Sequence, residues 1–141
     1  MGVINYDQMA EMLANMEPDY AVVKIDALKT KSGEPDPLAI DLVRALIVHS
    51  KYKLLFLFTD VFADVEEQIG WLNEHVYKHD QYEIIRAQLM KRMICATSWR
   101  EVLRHPKVTT RVDLAIVDEW NDVKMLYEHS KVKPIFLPRR P

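Results

Sequence analysis

Four acidic residues lie at or just past the ends of apolar runs: Asp26, Asp60, and Asp118 with Glu119. If those runs are strands of a parallel sheet, the acids stand at its carboxyl ends, where open α/β sheets bind their ligands. Carboxylate oxygens are natural ligands of Mg²⁺. A Mg²⁺ so held can orient a phosphate and stabilise the charge that develops on it. On this reading Asp26, Asp60 and Asp118 are metal ligands, Glu119 is a candidate base, and the catalytic candidates are Asp60, Asp118 and Glu119. The same residues also have a plainer use. Asp60 and Asp118 precede helical stretches and suit N-caps. Glu119 would sit in a first turn, where the helix dipole favours negative charge.

Other chemistry has less to stand on. His75 and His79 are four apart and would share a helix face, but no HExxH or CxxC accompanies them, and their neighbours Asn73, Glu74, Lys78 and Asp80 are polar. Cys95 lies in Met93-Ile94-Cys95-Ala96 and reads as a small buried hydrophobe. There is no G-x-S-x-G elbow, and Ser98 is accounted for by an S-x-x-E capping box with Glu101. The segment Leu114–Glu119 (LAIVDE) resembles the Walker B strand of RecA-like nucleotide-hydrolysing domains over six residues. The resemblance implies a strand there. The companion loop G-x-x-x-x-G-K-[ST] is absent, so the resemblance does not extend to a triphosphate cradle. The order His49, His79-Asp80, then Asp113 or Asp118 is similar to that of the helical HD-type phosphohydrolases. Here Tyr77-Lys78 precede the dipeptide and Gln81-Tyr82 follow it, where that family has an apolar helix and a glycine-containing turn.

Trp71 lies off the apolar stripe of its helix, beside Gly70, and an exposed Trp is a frequent interface anchor. The tail Ile135–Pro141 (IFLPRRP) combines Phe136 with Arg139 and Arg140. Trp71, Phe136, Arg139 and Arg140 are therefore the candidate partner-binding residues, with a frayed end as the plain alternative for the tail.

The elements that would position these residues alternate along the chain. Met9, Met12, Leu13 and Met16 predict a helix over 5–16 with Asn5 as its cap. Tyr20–Ala27 alternates as a strand. Lys29–Pro37 is a loop, and Asp36-Pro37 starts a helix to Ser50. Leu54–Phe58 is an unbroken apolar run, as in a strand covered on both faces. Helices follow over 61–78, capped by Asp60, and over 80–90. Met93–Thr97 is a short strand, Trp99–His105 a helix, Arg111–Val117 a strand, Asp118 caps a helix to Ser130, Ile135–Leu137 is a strand, and 138–141 is a tail.

This predicts an α/β domain of about five short, mostly parallel strands flanked by helices. The alternative is an all-α helical bundle. Only three glycines are present, and Val112, Ile116, Glu119, Val123 and Leu126 also fit a helical stripe.

The chain has 141 residues, one cysteine and a net charge of −2. That size suits one domain, 1–141, with its own core. A single cysteine and the absence of a leader pattern point to a reducing, cytoplasmic setting. No apolar run is long enough to span a bilayer. Basic residues are dispersed, which makes nucleic acid an unlikely partner. The expectation is a non-enzymatic interaction, assembly or regulatory domain that binds a protein partner or itself and uses no cofactor. The alternative is a Mg²⁺-dependent phosphate-processing enzyme built on the acidic rim.

Overall fold

A computed structural model describes residues 20–50, 52–108 and 112–141. Its sheet has five strands: β1 (Tyr20–Lys24), β2 (Lys53–Phe58), β3 (Met93–Cys95), β4 (Val112–Val117) and β5 (Lys133–Phe136). They lie in the order β3-β2-β1-β4-β5, and every pairing is parallel. The helices are α1 (Pro37–His49), α2 (Val65–Leu72) running into a π-helical turn (Asn73–Tyr77), α3 (Tyr82–Met90), α4 (Trp99–Arg104) and α5 (Trp120–His129). The fold is therefore α/β and not a helical bundle. The helix expected over 5–16 lies outside the described residues. Among the described residues no helix is long and apolar enough to cross a membrane.

The strands read as continuous apolar runs because each side chain faces one of two helical layers. Ala21, Val23, Leu54, Phe56, Phe58 and Ile116 pack with Val43 of α1, Ile69 and Leu72 of α2, Val76 of the π turn, and Ile85 and Leu89 of α3. Their neighbours in sequence, Val22, Leu55, Leu57, Ala115 and Val117, pack with Trp99 and Val102 of α4 and Leu126 of α5. Connections from β1 to β2 and β3 cross one face, and those from β3 to β4 and β5 cross the other. The chain reverses its winding between β1 and β4, which opens a crevice at their carboxyl ends.

Several boundaries differ from expectation. The first strand ends at Lys24, and Ile25–Leu28 is a 3₁₀ turn. The helix expected from residue 61 begins at Val65, capped by Asp64, whose Oδ1 accepts the Glu66 N–H at 2.9 Å. Asp60 instead accepts the Phe62 N–H at 2.9 Å in a local turn. Asp118 is not a cap either, because α5 starts after Glu119, which makes no side-chain cap bond. Ser98 does cap α4, but the Glu101 carboxylate reaches back to the Thr97 N–H at 3.0 Å, one residue earlier than a capping box would place it.

Candidate functional site at the strand switch point

The crevice between β1 and β4 is organised around Lys24. Alternation along β1 sends Val22 toward α4 and α5, and Lys24, two residues on, follows it to that side. Its ammonium meets Asp118 just past β4 and Asp122 in the first turn of α5. Lys24 Nζ is 2.9 Å from Asp118 Oδ1, 3.0 Å from Asp122 Oδ2 and 3.6 Å from Glu119 Oε1. Lys24 and Asp118 are buried, Asp122 nearly so, and Glu119 is exposed.

Burial alone would lower the Lys24 pKa, since it disfavours the charged form. Hydrogen bonding and charge from Asp118 and Asp122 more than reverse this and raise it to about 12. The group is an ammonium throughout the physiological range and cannot act as an amine nucleophile or base. Three carboxylates around one ammonium leave the cluster formally at −2. Beside it lies a recess of about 190 Å³, lined also by Leu57, Thr59, Ala96, Thr97, Ser98 and Trp99.

Of the acids singled out from sequence, the structure brings together Asp118 and Glu119 and leaves Asp26 and Asp60 apart from them. Asp26 belongs to the 3₁₀ turn, and Asp60 is exposed and engaged with its own loop. Among the described residues no group of three or more His, Cys, Asp or Glu side chains is placed to hold a metal ion. The expected ligand set Asp26, Asp60 and Asp118 is therefore not assembled. The reason is physical: Lys24 already supplies the positive charge that Asp118 and its neighbours require. Lys24 and Asp122 were missed in the sequence, although both left a trace. Lys24 is a cation inside the apolar run Tyr20–Ala27, and Asp122 stands one helical turn beyond Asp118.

The other candidates also find partners within the chain. His75 packs against Trp71, ring centroids 4.8 Å apart. His79 Nδ1 accepts the Gln81 N–H at 2.9 Å. Cys95 is exposed, a correction to its expected burial, because it ends the short edge strand β3. Trp71 packs on the core edge, with Lys29 Nζ 4.9 Å from its ring centroid. The tail is strapped to the loop after β1. Arg139 donates to the carbonyls of Lys29 at 3.3 Å and Thr30 at 2.6 Å. Arg140 pairs with both carboxylate oxygens of Asp36 at 3.1 and 2.5 Å. Phe136 and Arg140 are the exposed members of the four partner candidates, and Phe136 stacks edge-on with Trp120 at 5.7 Å.

No protein-family model matches the chain, and none of the curated proteins matches it.

Proposed function

We propose that this domain acts through protein contacts made by the carboxyl-end face of its sheet, as an assembly or regulatory module, and not by catalysis. The observation that carries this reading is a set of exposed aromatics at the carboxyl-end side of the sheet, where the Lys24 crevice opens. Phe62, in the turn after β2, is 93% exposed. Trp120, at the start of α5, is 61% exposed and stacks on Phe136 at the end of β5. These residues lie at or just past the carboxyl ends of β2, β4 and β5, the end of the sheet that carries the crevice. Large aromatics gathered at one end of a domain are the usual anchors of an interface.

The alternative, a Mg²⁺-dependent phosphate enzyme using Asp60, Asp118 and Glu119, has in its favour the acids and hydroxyls at the switch point. It has against it the ammonium already seated among the carboxylates. A formally negative cluster without a metal also repels phosphate.

The test is site-specific photocrosslinking in cells producing the full chain. A benzophenone side chain at position 62 or 120 is expected to give discrete protein adducts, including a self-adduct if the partner is a second copy. The same group at Glu128, exposed at the far end of α5, is expected to give none. Equal or no adduct formation from all three positions removes the interaction reading.

A further inference from the structure

The opposite end of the sheet carries a second concavity, about 560 Å³ in volume. Four cations line it: Lys53 at the start of β2, Lys91 and Arg92 after α3, and Lys107 after α4. Among the described residues no carboxylate lines it, and none of these four forms an ion pair. A chain with net charge −2 has thus concentrated positive charge that its linear order disperses.

Cations are expected at helix carboxyl ends, and α3 and α4 both end here. Each such end presents about half a negative charge, so the two dipoles together offset roughly one of the four positive charges. Among the described residues that line the concavity, the surplus meets no counter-charge. One of the cations is also held in place: Lys107 Nζ donates to the Met93 carbonyl at 3.0 Å. The Arg92 backbone is fixed, its N–H bonded to the Leu89 carbonyl and its C=O to the Phe56 N–H, each at 2.8 Å, while its guanidinium also donates a hydrogen bond to the Tyr77 hydroxyl. Tyr20 and Leu55 add apolar lining. The volume is that of a small-molecule site. A nucleic-acid strand would instead need a track of cations running beyond one concavity.

We propose that this concavity binds a small polyanion bearing three or four negative charges, of the polyphosphate or phosphate-ester class, gripped by Lys53, Lys91, Arg92 and Lys107. The site is separate from the Lys24 crevice and does not depend on the interaction reading above.

The experiment is titration calorimetry on the full chain with inorganic tripolyphosphate. Saturable binding at one site per chain is expected, weakening as NaCl is raised. Lys53→Glu and Lys91→Glu alter exposed side chains and should leave the circular dichroism spectrum unchanged. Each is expected to weaken binding about tenfold or more, the worth of a charge-assisted contact. Lys91→Gln should give a smaller loss in the same direction. Lys131→Glu, exposed and outside the concavity, should leave affinity unchanged. Citrate is expected to bind more weakly than tripolyphosphate, and citrate binding as tightly would overturn the phosphate assignment. No saturable binding at millimolar tripolyphosphate overturns the proposal, as does equal weakening by Lys131→Glu. Tighter binding of a single-stranded oligonucleotide overturns it as well.

Discussion

Lys24 Nζ lies 2.9 Å from Asp118 Oδ1 across the adjacent strands β1 and β4, with only 7% and 3% of the two side chains exposed. Neither charge could be buried alone, since an unpaired ion in a protein interior costs several kcal/mol. The pair joins the two strands at which the fold reverses its winding, so the crevice is also the place where the halves of the sheet are tied together.

Removing one partner of that pair is therefore expected to be severe. Lys24→Met should cost about 3 kcal/mol, the lower end for breaking a buried ion pair, because Glu119 and part of Asp122 still reach water. The urea midpoint measures this. The same variant leaves Asp118, Asp122 and Glu119 without their cation. Its melting temperature should rise with millimolar Mg²⁺, while that of the unaltered protein should not move. A Mg²⁺ response in the unaltered protein would favour the enzyme reading.

The alkaline limb of stability carries the same signature. The folded Lys24 pKa, about 12, lies above its ordinary 10.5. Its contribution is complete below pH 10.5 and is lost as pH rises through about 12. Tyr77 behaves with the same sign: burial keeps its phenol neutral and raises its pKa from 10.0 to about 12, although Arg92 works against this. Stability should thus fall between about pH 10 and 12. Lys24→Met and Tyr77→Phe should each flatten that fall, read by circular dichroism. An unchanged slope in Lys24→Met would contradict the ion-pair account.

At the acid end the relevant pair is Asp36–Arg140. The Arg140 guanidinium holds the Asp36 carboxyl below its ordinary 3.8, against the upward pull of burial and with help from the Leu38 N–H. A depressed pKa stabilises the fold above pH 3.8, and the gain is lost as pH falls through the lower folded value. Arg140→Ala should raise the midpoint pH of acid unfolding. Asp36→Asn keeps an acceptor for the cap of α1, whereas Asp36→Ala loses it and should be less stable by about 1 kcal/mol.

Two glycines should respond in opposite directions to alanine. Gly33 adopts φ +88°, in the left-handed region. Although a Cβ there meets nothing within 4 Å, Gly33→Ala should cost about 1 kcal/mol in backbone strain. Gly70 lies inside α2, where a Cβ also meets nothing within 4 Å. Gly70→Ala should stabilise by up to about 1 kcal/mol through helix propensity. Thermal melts of the two variants decide this.

Much of the fold was legible because local chemistry and burial pattern agreed. Leu54–Phe58 reads as a strand covered on both faces, and each of its residues does face one of two helical layers. Asp36 and Ser98 were recognisable caps because each accepts a backbone N–H within three residues. The caps expected at Asp60 and Asp118 failed because an acid before a helical pattern satisfies several roles equally well. In Asp118 the ionic role prevailed, and at Asp60 a local turn did, with Asp64 taking the cap.

Local patterning in the amino-acid order thus favoured an alternating α/β chain over a bundle and marked its strands and the helix starts at Asp36 and Ser98, since those depend on neighbours within a turn or two. The order of the strands was not encoded locally, and the site followed from it. Lys24 and Asp122 are 98 residues apart and meet only because β4 lies beside β1. The gathering of Lys53, Lys91, Arg92 and Lys107 likewise depends on where separate elements end in space. Charge acts through distance in three dimensions, and those distances exist only once the sheet has formed.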